Sequence, residues 1–318
     1  MQIFADLYAN KTPMQRKHFI RNSIFGGASL LTAGITKAAS TPKYKAGNDQ
    51  PFHLNYGIHD GMFRNNAGDD FVDQIRFGFD HGFRAIEDNG MMQRPVEQQK
   101  KIGDALAKLG MGMGVFVLDK GGNGAHTLAA GKDEFVEIFL NGCRQAIEVS
   151  KRCNGKLTTV VPGDFERHLP AGIQTAHIIN ALRKGAEILE PHQIVMVLEP
   201  LSDTPDLFLR TSDQAYAICK AVNSPSCKIL FDMYHIQRNT GDIIHNIDLC
   251  YDEISYFQIG NNPGRNEPGT GEMDYRNIFK HIYNKGYKGI LGMEHGTAQP
   301  GREGELALIK AYRDSDTF

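Results

Sequence analysis

Glu199, Asp232, Gln258 and Glu294 each close a short apolar run: Val197-Leu198-Glu199, Leu230-Phe231-Asp232, Tyr256-Phe257-Gln258 and Gly292-Met293-Glu294. Such runs read as buried parallel strands, and a polar group at a strand's last position points into whatever lies over the sheet's carboxyl edge. Two glutamates, an aspartate and a glutamine amide oxygen are hard donors, suited to Mg²⁺ or Mn²⁺ rather than to a thiolate-loving ion. Singly, each acid would more often cap a helix or pair within a loop. Together they crowd negative charge into one cleft, which costs stability unless a cation compensates. One divalent metal site, with positions left open for substrate oxygens, is the expectation. His235, three residues past Asp232, is expected to contact substrate there. Arg265 lies in a Gly- and Pro-rich stretch, 258–275. It can offer paired donors to a carboxylate or a vicinal diol, or tie its loop to Glu267 or Asp274. Asp274 is placed to cap the helix that follows.

The spacing of these four positions suits one ligand from each of four consecutive parallel strand ends. Strands are expected over 53–63, 84–90, 111–118, 157–161, 194–198, 227–232, 255–259 and 289–293. Helices are expected over 69–83, opened by Asp69 or Asp70, and over 95–109, 133–153, 170–189, 212–222, 241–254, 275–285 and 303–312. Eight strand–helix units in strict alternation close most naturally into a single α/β (β/α)₈ TIM barrel, here a catalytic domain over 52–318, with its site on the carboxyl face. Core candidates are Phe135, Ile138, Phe139, Cys143 and Ile147 on one helix, and Ile173, Ile178, Leu182 and Leu189 on the next. The loop Gly121-Gly122-Asn123-Gly124 lacks the context of a phosphate loop and reads as a substrate lid or a plain loop. Asp164 and His168 are candidate pocket contacts that could equally lie at the surface.

With 318 residues and 41% hydrophobic content the chain can bury a sizeable core. Its 35 basic and 37 acidic residues leave a net charge of −2, which provides no global field for nucleic acid or an anionic membrane. A small-molecule sugar or keto-sugar partner fits better. The five cysteines include no Cys-x-x-Cys pair and read as buried small hydrophobes. Arg16, Lys17 and Arg21 precede an apolar run from Ile24 to Ile35 and then Ala38-Ala39-Ser40, the order of an export signal peptide. Residues 1–40 are read so, with a periplasmic mature chain, and 41–51 as a linker; a cytoplasmic arm is the alternative. The run is too short to span a bilayer.

Leu198-Glu199-Pro200, the Asp232-Met233-Tyr234-His235 segment and the run from Gln258 to Tyr275 resemble the hydroxypyruvate isomerase family of the xylose-isomerase-like barrels, which also include ketose 3-epimerases. The resemblance implies that Glu199, Asp232, Gln258 and Glu294 are metal ligands, with Glu199 and Glu294 doubling as the catalytic acid/base pair. It implies that His235 and Arg265 are substrate-binding. The reaction implied is proton abstraction next to a carbonyl through a metal-bound enediolate, giving isomerisation or epimerisation. A lyase or hydrolase of keto-sugar glycosides and a non-catalytic sugar-binding barrel are the alternatives, and a homo-oligomer stays open. The sequence departs from the family at His295-Gly296-Thr297, where Tyr-Lys is typical, and at Glu87-Asp88-Asn89 and Phe116–Asp119 on the early strands. The substrate pocket is therefore expected to differ.

Overall fold

The computed structural model describes residues 49–318; the export-like segment 1–40 and most of the 41–51 linker lie outside them. The chain runs β1 (Asn55–Ile58), α1 (Arg64–Ala67), α2 (Phe71–Asp80), β2 (Ala85–Ile86), α3 (Val96–Leu109), β3 (Gly112–Met113), β4 (Val115–Val117), α4 (Asp133–Cys153) and β5 (Leu157–Val160). It continues through α5 (Ala171–Leu189), β6 (Val195–Leu198), α6 (Ser212–Val222), β7 (Cys227–Asp232), α7 (Met233–Asn239), α8 (Ile243–Cys250), β8 (Ile254–Gln258), α9 (Tyr275–Asn284), β9 (Ile290–Gly292) and α10 (Gly301–Ser315). The nine strands pair in parallel in the order β3-β2-β1-β9-β8-β7-β6-β5-β4. The two ends of that order, β3 and β4, are separated by Gly114 alone, so the third strand of an eight-position TIM barrel is split and the covalent chain completes the ring. Gly114 N–H still donates to Ile86 O at 2.7 Å, and Asp88 N–H to Val115 O at 3.1 Å.

Alternation along the strands decides what fills the barrel. Val115, Val197, Leu230 and Tyr256 form a buried cluster of their own, with Leu157, Val195 and Ile290 packed on it. Their strand neighbours Met196, Leu198, Ile229, Phe231 and Phe257 belong instead to the large cluster shared with the helices. Counting on by two from Val197, Leu230, Tyr256 and Ile290 gives Glu199, Asp232, Gln258 and, two steps on, Glu294. The inward face of each strand therefore delivers its last polar residue to the space above the barrel core.

Several expected elements shrink or move. The strand expected over 53–63 ends at Ile58, because the chain turns through Gly61 at φ +88° into α1. Asp70 caps α2 by accepting Val72 N–H, and Asp274 caps α9 by accepting Asn277 N–H. The helix expected over 241–254 is shorter, with a 3₁₀ turn at Tyr251–Glu253 leading into β8. Ile173 is 48% exposed rather than core: the buried stripe of α5 runs through Gln174, Ile178, Ala181, Leu182 and Gly185, and a residue five before Ile178 lies well round the helix from it. On α4, Phe135, Ile138 and Ile147 are half-buried, and the buried face centres on Phe139, Cys143 and Ala146. All five cysteines are free and buried.

Candidate active site

Asp232 and Gln258 are register partners at the ends of β7 and β8, and Gln258 is the partner of Gly292 on β9. One turn of helix then organises the acid. Asp232 Oδ1 accepts Tyr234 N–H at 2.8 Å, capping α7, and Oδ2 meets Arg265 Nη2 at 3.0 Å and His235 Nε2 at 3.4 Å. The same Arg265 nitrogen reaches Glu294 Oε2 at 2.8 Å, while Arg265 Nε donates to Glu294 O at 3.1 Å. Arg265 thus ties its loop to neither Glu267 nor Asp274. It turns inward over Tyr234, 4.7 Å from the ring centroid, and bridges two strand ends. His235 is buried, and its Nδ1 accepts Ser202 N–H at 3.2 Å. The ring proton therefore sits on Nε2, which faces Asp232 and, at 3.9 Å, Glu199 Oε1. One ligand atom from each of Glu199, Asp232 and His235 lies within 4.8 Å of the others. Holding an ion on His235 Nε2 would push the proton to Nδ1, against the Ser202 N–H, so this histidine suits a donor's place better than a ligand's.

Charge in the cluster is unbalanced. Burial pushes the Glu199 carboxyl well above its ordinary range, and Glu294 and Asp232 add to the effect. Burial also raises Glu294 to about 7 against the pull of Arg265, and lowers His235. Glu87, at the end of β2, is raised well above its usual range by burial and then by Glu294. Asp232, Glu294 and Glu199 all act on one guanidinium, that of Arg265, and Gln258 Oε1 is buried without a hydrogen-bond partner. An orphaned hard oxygen among crowded carboxylates fits a divalent cation.

Two residues here were not among the expected site residues. Asn89 Nδ2 donates to Glu294 Oε1 at 2.7 Å, and Glu87 Oε2 accepts from Tyr256 Oη at 3.1 Å and Gln258 Nε2 at 3.3 Å. The signal was available, since Glu87 also follows an apolar pair, Ala85-Ile86, but that run is too short to stand out. His295 turns away from the mouth: its Nδ1 donates to Gly296 O at 2.7 Å and its Nε2 accepts from Tyr312 Oη at 2.7 Å, locking β9 to α10. His168 is exposed. Asp164 N–H donates to Gly124 O at 3.1 Å and its carbonyl accepts Thr127 Oγ1, so it holds the glycine-rich loop.

Comparison with known proteins agrees with this architecture. Residues 75–313 match the family described as xylose isomerase-like TIM barrel. The chain is 32% identical to hydroxypyruvate isomerase of Escherichia coli over 183 residues, 56% of this chain and 69% of that one. Among solved structures, AP endonuclease family 2 from Brucella melitensis superposes with a TM-score of 0.70 at 22% identity, covering 81% of this chain and 99% of that one. The 3-keto-D-glucoside 4-epimerase of E. coli gives 0.65 at 19%, covering 82% and 97%. Those two likenesses concern the fold. The chain belongs to the xylose isomerase-like TIM barrel family, as an isomerase or epimerase of that fold.

Proposed function

We propose that the chain moves a proton between carbons next to a carbonyl in a small sugar, keto-sugar or hydroxy-keto acid. The reading rests on one observation above all: the inward faces of β6, β7, β8 and β9 bring Glu199, Asp232, Gln258 and Glu294 to one buried, acid-rich pocket with a single bridging arginine. Glu199, Asp232, Gln258 and Glu294 would hold a divalent ion, Mn²⁺ or Mg²⁺. When bound, such an ion would supply positive charge where negative charge develops on the substrate's oxygens. Glu294 is the base or acid on one side of the substrate, its Oε1 steadied by Asn89 Nδ2. Glu199 serves the other side. His235, with its proton held on Nε2, donates to a substrate oxygen. Arg265, stacked over Tyr234 and holding Asp232 and Glu294 through Nη2, would turn its remaining nitrogen, Nη1, to a substrate oxygen. Return of the proton to the neighbouring carbon gives isomerisation, and return to the opposite face of the same carbon gives epimerisation.

The E. coli isomerase is named for a hydroxy-keto acid and the E. coli epimerase for a 3-keto-glucoside, which supports an α-hydroxy-carbonyl substrate. The export-like residues 1–40 favour a keto-sugar met outside the cytoplasm. Incubating the Mn²⁺-loaded chain with aldoses, ketoses and 3-keto-glycosides in D₂O, followed by NMR of the products, tests this. Deuterium at a carbon next to the carbonyl in an isomer or epimer is expected. Cleavage products would instead make the chain a lyase or hydrolase, and binding without exchange would make it a sugar-binding barrel.

A further inference from the structure

We propose that Glu87 is a positioning residue for the active site: it sets the side-chain amide of Gln258 so that Oε1, and not Nε2, faces Glu199, Asp232 and Glu294. The inference rests on the reading of Gln258 as an oxygen ligand to a divalent cation. A glutamine amide presents oxygen or nitrogen to a pocket by a half-turn of its last torsion, and only the oxygen can hold a cation. Glu87 is 1% exposed, at the end of β2 across the barrel mouth from β8. Its Oε2 takes Gln258 Nε2–H at 3.3 Å and Tyr256 O–H at 3.1 Å. Oε2 accepts both bonds whether the group is a carboxylate or carries its proton on the unpartnered Oε1, so a flipped amide would set two acceptor oxygens against each other and the flip is opposed.

The arrangement is built into three other strands. Tyr256 rises from the inner layer shared with Val115, Val197 and Leu230. A Cβ at Gly292 would overlap Glu87 Oε2 and come within 2.7 Å of Tyr256 Oη, and a Cβ at Gly114 would overlap the same phenol and come within 2.8 Å of Ile86 O. Glycine at both positions makes room for the Glu87–Tyr256 pair. Two buried oxygens are left without a partner, Glu87 Oε1 and Gln258 Oε1, and on the ligand reading the second is the atom a cation would use.

The test is Mn²⁺ binding to the full chain by isothermal titration calorimetry, with thermal melts followed by circular dichroism as a check on folding. Glu87→Gln keeps an acceptor oxygen for both donors, so its Kd should stay within about 3-fold of the unsubstituted chain. Glu87→Met removes the acceptor and should weaken binding by about 10–100-fold. In a Gln258→Ala background Glu87→Met should add nothing, because there is no amide left to orient. Unchanged binding by Glu87→Met, equal loss in Glu87→Gln, or a full Glu87→Met penalty in the Gln258→Ala background would each overturn the proposal. If Glu87→Met does not melt cooperatively, Glu87→Leu repeats the comparison. Failure of the unsubstituted chain to bind Mn²⁺ would overturn the ligand reading itself, an outcome distinct from the others.

Discussion

Asp232 divides its oxygens between structure and chemistry, with Oδ1 on Tyr234 N–H and Oδ2 on Arg265 and His235. Asn at this position keeps a capping oxygen while removing the charge. Asp232→Asn should therefore melt near the unsubstituted chain yet bind Mn²⁺ at least about 10-fold more weakly, which calorimetry reads; unchanged affinity would remove Asp232 from the ligand set. His295 offers a contrasting case, in which an apparent pocket residue is structural. Tyr312→Phe leaves the buried His295 Nε2 without its donor, at a cost of about 1–3 kcal/mol, visible as a lower midpoint in denaturant. Most of the candidate site could be read from residues alone, because each acid ends an apolar run and inherits the strand's inward phase. Glu87 and Asn89 could not, because β2 pairs over only Ala85–Ile86 and shows no periodicity to extend.

At the level of elements, the glycine-rich loop closes around a buried side chain. Lys120 is buried, and its Nζ donates to the carbonyls of Gly122, Asn123 and Ala125. Burial lowers Lys120 to about 8, while Asp164 acts the other way. Between that value and the ordinary lysine range the unfolded chain binds more protons than the folded one, so this group's contribution to stability rises with pH from about 8 to about 10.5. Denaturant unfolding at pH 7.5 and pH 10 should show the unsubstituted chain gaining up to about 2 kcal/mol relative to Lys120→Met; equal pH dependence in the two would contradict the assignment. The loop is thus tethered by Lys120 at Gly122, Asn123 and Ala125 and by the Asp164 backbone at Gly124. Elements with long periodic patterns, such as α4 and α6, are found where the sequence places them. The seven-residue α7 has no room for a pattern, so the three-residue spacing shows that Asp232 and His235 share a site but not that a helix joins them. The break at Gly114 is equally silent in sequence, since it follows from the space Tyr256 needs.

Across the whole molecule the charge is close to neutral, at −2 over 318 residues, yet the site gathers Glu199, Asp232 and Glu294 around one Arg265, with Glu87 buried beside Gln258. That local excess is where an added cation should act on global stability. Mn²⁺ at 100 times its Kd should raise stability by about 2.7 kcal/mol over an EDTA-treated sample, seen as a higher melting temperature, and at the same Mn²⁺ concentration an about 10-fold weaker Asp232→Asn should keep no more than about 1.4 kcal/mol of that gain. The barrel class followed from the alternation of strand and helix patterns around the chain; the partition of its interior into an apolar layer and a polar rim follows from the same period of two.

The central claim is that Glu294 exchanges a proton with a carbon of the substrate. NMR detection of solvent deuterium washed into a turned-over keto-sugar, comparing the Mn²⁺-loaded chain with Glu294→Gln at equal metal occupancy, tests it directly. The account predicts exchange in the unsubstituted chain and a loss of about 10²–10⁴-fold in the variant; equal exchange in both would contradict it.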